Sequence, residues 1–229
     1  MIKMVSVIIA AGGTGNRMGA GMPKQFIEVF GKPLIIYTIE AFNNHPGVDE
    51  IIIPCHNDYK NKISSWVTQY GLSKVKSTVP AGINRKESVF NGLKNIKNTT
   101  SIVLIHDAVR PLVSNRIISE NIEKAIKYGA AGTAVPAEDT VIKSKEGLFI
   151  DEVPKRNEIY NIQTPQSFKY DIIMDAHKSF FGTDATDDCQ LVLKTGVNVA
   201  LVLGDKINFK ITTPEDMLLF ELLIKNSYI

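Results

Sequence analysis

Two short stretches of this chain concentrate residues that can handle phosphate. The first is Ala10-Ala11-Gly12-Gly13-Thr14-Gly15-Asn16-Arg17-Met18, followed closely by Pro23-Lys24-Gln25. Glycines let backbone N–H groups approach a ligand and cradle phosphate oxygens. Arg17 and Lys24 add two cations to the same loop. Attack on the α-phosphorus of a triphosphate builds charge on the oxygens being displaced, and fixed cations there stabilise the transition state. The pattern is neither G-x-x-x-x-G-K-[ST] nor, in register, G-x-G-x-x-G, so it supports neither a P-loop NTPase nor a dinucleotide dehydrogenase. A glycine loop alone also serves as a plain turn; the cations direct this one toward an anion.

The second stretch is His106-Asp107-Ala108-Val109-Arg110-Pro111. A lone carboxylate just past a strand can hold Mg²⁺, which takes few protein ligands and otherwise phosphate oxygens and water. Arg110 can reach a second phosphate with two N–H groups, or simply pair with Asp107. A third group, Gly82, Asn84, Arg85 and Ser88, surrounds the start of an expected helix, where a nucleotide's base or ribose could be read; taken alone it is a helix start. Thr140, Arg156, Thr164-Pro165-Gln166, Thr186-Asp187-Asp188 and Lys210 are scattered, and spacing does not connect them.

The elements that must carry these residues follow from periodicity. Val5–Ala11 is apolar on both faces, as a central parallel strand requires. Further strands are expected at Glu50–Pro54, Val75–Val79, Ser101–His106, Ala131–Pro136 and Val197–Leu203, followed by Asn208–Thr212. Helices are expected at Pro33–Phe42, Asp58–Tyr70, Arg85–Ile96, Arg116–Tyr128 (ended by Gly129), Asp171–Phe180 and Asp187–Thr195. Thr186 is a possible cap of the last of these. A final helix opens at Pro214 with Thr213 as its cap. Strands alternating with helices imply an α/β fold of three layers, a mostly parallel twisted sheet covered on both faces. Ala137–Ile162 breaks the rhythm. Thr140-Val141-Ile142 and Leu148-Phe149-Ile150 flank the turn Lys145-Glu146-Gly147, which predicts a projecting β-arm whose apolar pieces pack on a second subunit. With no repeat and no low-complexity segment, residues 1–229 read as one domain.

Composition sets the outer limits. The chain has 229 residues, 44% apolar and 22% charged, with a formal net charge of +2. That balance suits a folded domain with its own core, and it argues against binding nucleic acid or an anionic membrane through bulk charge. Val5–Ala11 is too short to span a bilayer and lacks a signal-peptide cleavage pattern. Cys55 and Cys189 read as two reduced thiols, so the expected compartment is the cytoplasm.

Taken in order, Ala-Gly-Gly-x-Gly-x-Arg-Met, Pro-Lys-Gln, His-Asp-Ala-Val-Arg-Pro, Thr-Pro-Gln, Thr-Asp-Asp and Lys-Ile-Thr-x-Pro-Glu-Asp resemble the cytidylyltransferases that make CDP-methylerythritol, together with their relatives that make CDP-ribitol. The resemblance runs from Val7 to about Leu222. It implies a Rossmann-like nucleotidyltransferase fold and transfer of CMP from CTP to a polyol phosphate, with Mg²⁺ or another divalent cation. It also implies roles. Arg17 and Lys24 look like the cations at the pentacoordinate phosphorus and the leaving pyrophosphate. Ala10, Ala11, Gly12, Gly13 and Gly15 look like the nucleotide cradle, and Gly82, Asn84, Arg85 and Ser88 like its surroundings. Asp107 resembles the Mg²⁺ ligand. Arg156 and Lys210 resemble the pair that positions the substrate phosphate, with Arg110, Thr140, Thr164 and Thr186 as neighbours. Members of that family are homodimers whose β-arms interlock, which would carry Thr140 and Arg156 to the neighbouring subunit's site.

The chain departs from that pattern in places. Many members carry an acidic residue where Ile83 stands. The stretch from Arg156 to Phe168 looks more like the ribitol branch, while Ala185-Thr186-Asp187-Asp188 and a single short arm look more like the methylerythritol branch, which is the preferred reading. A sugar-phosphate nucleotidyltransferase using UTP or GTP, and a non-catalytic nucleotide-binding protein, are the alternatives of other kinds.

Overall fold

The computed structural model describes residues 4–13, 22–97, 99–180 and 187–226. Seven strands form one sheet. In chain order they are β1 (Met4–Ala10), β4 (Glu50–Cys55), β5 (Val75–Pro80), β6 (Thr100–Asp107), β7 (Ala130–Pro136), β8 (Tyr160–Lys169) and β9 (Ala200–Leu203). A separate two-stranded ribbon, β2 (Glu28–Val29) and β3 (Lys32–Pro33), lies between β1 and β4 in sequence. The spatial order is β5-β4-β1-β6-β8-β7-β9. Every ladder of the seven-stranded sheet is parallel except the two made by β8, which runs against both β6 and β7.

The apolar runs explain the layering. In β1, Val5, Val7 and Ile9 point to one face and Ile8 to the other; in β6, Ile102 and Leu104 oppose Val103 and Ile105. The first face is covered by α1 (Leu34–Asn43), α2 (Asn57–Gln69) and α4 (Asn115–Tyr128), through residues such as Ile39, Phe42, Trp66 and Ile118. The second is covered by α3 (Arg85–Leu93), α5 (Tyr170–Ser179) and α6 (Asp188–Lys194), through Val89, Ile173 and Val192. A last helix, α7 (Pro214–Lys225), packs Met217 and Phe220 on Leu34, Val109 and Ile211. The expected α/β sheet with helices on both faces is therefore present. So are the helix stops read from sequence. Gly129 ends α4 with φ +93, and Thr213 opens α7 in a capping box with Asp216, with Pro214 in the first turn.

Four expectations need correction. Asn208–Thr212 forms no strand; it is a loop whose Asn208 is fully buried and donates to the Thr164 carbonyl at 2.9 Å. The cap of α6 is Asp187, whose carboxylate accepts the Gln190 N–H at 2.7 Å; Thr186 lies outside the described residues. No strand is expected between Ile162 and Asp171, yet β8 is a ten-residue strand inside the sheet. It contains Pro165, which cannot donate to a ladder. The strand accommodates it where the β7–β8 register breaks between Gly132 and Ala134; the Thr164–Pro165 bond there is cis.

The fourth correction concerns the arm. Thr140–Ile142 and Leu148–Ile150 are not strands. Between β7 and β8 the backbone closes at its base through Ala137 N–H to the Ile159 carbonyl (2.9 Å) and touches once more at the Lys143–Glu152 bridge. The turn at Gly147 (φ +74) is where the sequence puts it. A ribbon of two strands is marginal alone, and here its apolar side chains, including Leu148 and Phe149, are exposed. At the far edge of the sheet, the outward carbonyls of Leu201 and Leu203 in β9 accept from Lys124 Nζ (2.6 Å) and Arg116 Nη1 (3.0 Å) of α4.

Candidate active site

The parallel strands β4, β1 and β6 end side by side, and a cleft of about 510 Å³ opens at their carboxyl ends. This is where open α/β sheets bind ligands. One wall is the turn after β1. Ala11 bridges to Cys55 of β4, and Gly12 sits so close to α3 that a Cβ would lie 2.8 Å from Ser88 Oγ. Gly13 meets open space, so its backbone faces the cleft. Gln25 ties the turn down, donating Nε2–H to the Ala11 and Gly13 carbonyls at 2.8 Å each. Lys24, beside it, lines the cleft and reaches the Ile211 carbonyl at 2.8 Å.

The adjoining wall is the start of α3. Asn84 caps the helix by accepting the Glu87 N–H, and Ser88 Oγ accepts from Gly82 N–H while donating to the Asn84 carbonyl. Gly82 has no room for a side chain, because a Cβ would collide with Glu87. The close loop is thus required by packing as well as by any ligand. Ile83, 91% exposed, presents an apolar side chain at the cleft's rim.

Between the walls stands Asp107, at the tip of β6. Its Oδ1 meets Arg85 Nε at 3.4 Å; its Oδ2 meets Lys210 Nζ at 3.0 Å and Arg110 Nε at 3.4 Å. Burial alone would raise this carboxyl, but Arg85, Lys210 and Arg110 outweigh it and hold the group well below the usual carboxylate range. Three cations on one carboxylate leave the cluster positively charged, which a phosphate group would complement. Arg85, Lys210 and Lys24 line the cleft, whereas Arg110 lies buried behind Asp107 and donates Nη1–H to the Asn208 carbonyl at 2.8 Å.

Beneath the carboxylate, hydrogen-bond directions are fixed by chemistry. His106 Nε2–H donates to the Arg110 carbonyl (3.0 Å), so Nδ1 accepts the Thr164 hydroxyl proton (3.0 Å), and Thr164 Oγ1 accepts the Asp107 N–H (3.1 Å). Burial pushes His106 down to about 4, so the ring is neutral near neutral pH. Thr164 is accordingly a strut under Asp107, with its one proton already committed.

The sequence-derived residues thus divide. Ala10, Gly12, Gly13, Lys24, Gly82, Asn84, Arg85, Ser88, Asp107 and Lys210 come together around the cleft, and Ala11, Arg110 and Thr164 support it. Thr140 and Arg156 are exposed on the segment between β7 and β8, outside this chain's cleft; Arg156 Nη1 donates to the Glu138 carbonyl at 3.3 Å. Gly15, Arg17 and Thr186 lie outside the described residues. Sequence reasoning gave no role to Gln25, His106, Gln166, His177 or Asn208. Gln25, His106 and Gln166 stand inside the motifs Pro-Lys-Gln, His-Asp-Ala-Val-Arg-Pro and Thr-Pro-Gln, whereas His177 and Asn208 act across contacts too distant in sequence to show a pattern.

Asp107 is the only carboxylate among the described residues lining the cleft, and no group of three metal-binding side chains occurs among them. An ionised carboxylate has about four lone-pair sites, and three are engaged here. One site remains, and a divalent ion there would share the carboxylate with three cations and take most of its shell from phosphate and water.

A glycine turn and a cation cluster at the carboxyl edge of such a sheet define an α/β nucleotidyltransferase. The sequence profile of the 2-C-methyl-D-erythritol 4-phosphate cytidylyltransferases matches residues 5–226. A curated protein of that name from Clostridium acetobutylicum is 43% identical over 230 residues, 99% of this chain and all of the relative. Another, from Clostridium botulinum, is 40% identical over 223 residues, covering 96% and 97%. The crystal structure of the 4-diphosphocytidyl-2C-methyl-D-erythritol synthase from Anaerococcus prevotii superposes with a TM-score of 0.87 at 30% identity, over 98% of this chain and 100% of the other. The chain belongs to the 2-C-methyl-D-erythritol 4-phosphate cytidylyltransferase family.

Proposed function

We propose that this chain transfers the CMP unit of CTP to 2-C-methyl-D-erythritol 4-phosphate, a step of isoprenoid biosynthesis, and releases pyrophosphate. The observation that carries this is the meeting of Arg85, Lys210 and Arg110 on Asp107, at a cleft that the glycine turn and Lys24 also line, in a member of this family. A phosphate oxygen of the substrate attacks the α-phosphorus in line. The new O–P bond forms as the bond to the β-phosphate oxygen breaks, and the electron pair leaves with pyrophosphate. A phosphate monoester is already nucleophilic near neutral pH, so no strong base is needed. The chain's contribution is placement and charge.

In this reading, the Ala10–Gly13 backbone, with Gly15, holds the triphosphate. Lys24, joined from the same loop by Arg17, neutralises charge on the phosphorus and the leaving group. Gly82, Asn84, Arg85 and Ser88 surround the nucleoside. Lys210 aligns the attacking phosphate, and Thr186 is read as a further substrate-binding residue. A divalent ion, held by Asp107, would neutralise the triphosphate further.

The same reading makes the protein a homodimer. The exposed side chains of Leu148, Phe149, Ile150 and Val153 support it, since one excursion rarely leaves so much apolar surface to water. Thr140 and Arg156 would then serve the partner's cleft. The whole chain is read as one domain. It works in the cytoplasm, a reading supported by two buried, unbonded thiols, of which burial raises Cys55 to about 11. No described helix is long and apolar enough to cross a membrane.

The test is pyrophosphate release with CTP and Mg²⁺, comparing 2-C-methyl-D-erythritol 4-phosphate with ribitol 5-phosphate. Turnover of the first is expected. Turnover of ribitol 5-phosphate alone overturns the substrate, and no release with either overturns the reaction.

A further inference from the structure

Behind Arg85 lies a chain of buried groups that the reaction above does not use. Arg85 Nη1 donates to Asp188 Oδ2 at 2.6 Å. The other carboxylate oxygen, Oδ1, accepts from His177 Nε2 at 3.0 Å. His177 and Asp188 are each 1% exposed, although both can carry charge. Asp188 sits on the first turn of α6, where Gln166 Oε1 accepts its backbone N–H and that of Cys189 at 3.0 Å. Phe90 of α3 lies parallel to the His177 ring, 6.0 Å away.

Packing alone does not account for this arrangement. Burying a carboxylate costs several kcal/mol, and apolar residues of the same volume stabilise as well or better. Burial would raise Asp188, yet Arg85 and His177 outweigh it and keep it ionised. Because that carboxylate only accepts, His177 must donate from Nε2. Its Nδ1 has no partner among the described residues, so Asp188 is the one hydrogen-bond partner that orients the ring. The histidine therefore fixes the carboxylate's rotation, and the carboxylate fixes the guanidinium. Arg85 is held on its far side by Asp188 and on its near side by Asp107, and its remaining N–H groups belong to a side chain that lines the cleft.

We propose that His177 and Asp188 are positioning residues that set the plane of Arg85 for the nucleotide. The proposal deepens the cytidylyl-transfer reading and rests on it for the ligand. It predicts that the hydrogen bond, not the ring, is what matters at position 177. His177→Phe keeps the ring and its contact with Phe90 but removes the donor; His177→Gln keeps a donor and loses the ring. A packing role ranks Gln as the worse change, whereas positioning ranks Phe as the worse.

CTP binding is measured by calorimetry, and the solvent exchange of the Arg85 Nε–H by NMR in the ligand-free protein. His177→Phe and Asp188→Asn are expected to weaken CTP about tenfold, the size of one hydrogen bond to a charged group, with His177→Gln nearer the wild type. In an Arg85→Ala background His177→Phe is expected to add nothing. Equal CTP affinity for His177→Phe and wild type, or an effect that adds fully to Arg85→Ala, overturns the proposal. Exchange separates the two readings. If wild type binds no CTP or releases no pyrophosphate, the functional reading fails, while faster Arg85 exchange in His177→Phe than in His177→Gln still upholds the positioning. Unchanged exchange in both variants removes it.

Discussion

The cleft and the segment between β7 and β8 are built on opposite terms. At the cleft, Asp107 and Asp188 are buried and their oxygens are engaged by cations brought from other elements. In the 137–159 segment the ion pairs Lys143–Glu152 and Lys155–Glu158 are exposed, and the large apolar side chains are too. The first region meets the charge of its buried carboxylates from within the chain. The second is tied by a few hydrogen bonds of its own and leaves its apolar groups exposed.

Substitutions can break this contrast. Lys24→Ala should lower kcat about 10³-fold, as removal of a fixed transition-state charge does, with an unchanged circular dichroism spectrum. Turnover within tenfold of wild type would remove Lys24 from the chemistry. Asp107→Asn leaves Arg85, Arg110 and Lys210 without their anion and should cost about 3 kcal/mol in urea unfolding.

Acid gives a second handle on the same region. The folded-state value of His106 is depressed to about 4 from 6.5, so between those pH values the unfolded chain binds a proton that the folded chain refuses. Stability therefore rises with pH across that window, by roughly 3 kcal/mol from this residue at most, and is lost as pH falls toward 4. Urea melts from pH 4 to 7 should show the slope, and His106→Asn should flatten it. In the other region, Lys143→Ala should change stability by no more than about 0.5 kcal/mol, because its pair is exposed. Replacing Leu148 and Phe149 by serine should leave the monomer's melting unchanged while halving the mass seen by light scattering. A monomeric wild type would dissolve the comparison, since the segment would then have no partner to wait for.

What could be read from the chain beforehand follows the same division. β1, β4 and β6 declared themselves because strands buried on both faces are unbroken apolar runs. Asp107 declared itself by standing at the end of one. β8 did not, because Asn161, Gln163, Thr164, Gln166 and Ser167 make it polar and Pro165 interrupts it. Those polar side chains are the ones that bind across the molecule: Thr164 to His106, Gln166 to α6, Ser167 to Asn121. The Arg85–Asp188 pair spans 103 residues, and no local spacing records such a contact. The segment between β7 and β8 was legible in composition but not in form, since alternation specifies strands only where something covers one face.

The carbonyls at the rim of β9 have a consequence for assembly. An unsatisfied sheet border invites another chain to dock backbone to backbone, and repetition of that contact yields fibres. Lys124 and Arg116 fill the positions an incoming strand would need. At this end of the molecule those acceptors are already taken, which disfavours growth of the sheet by strand addition.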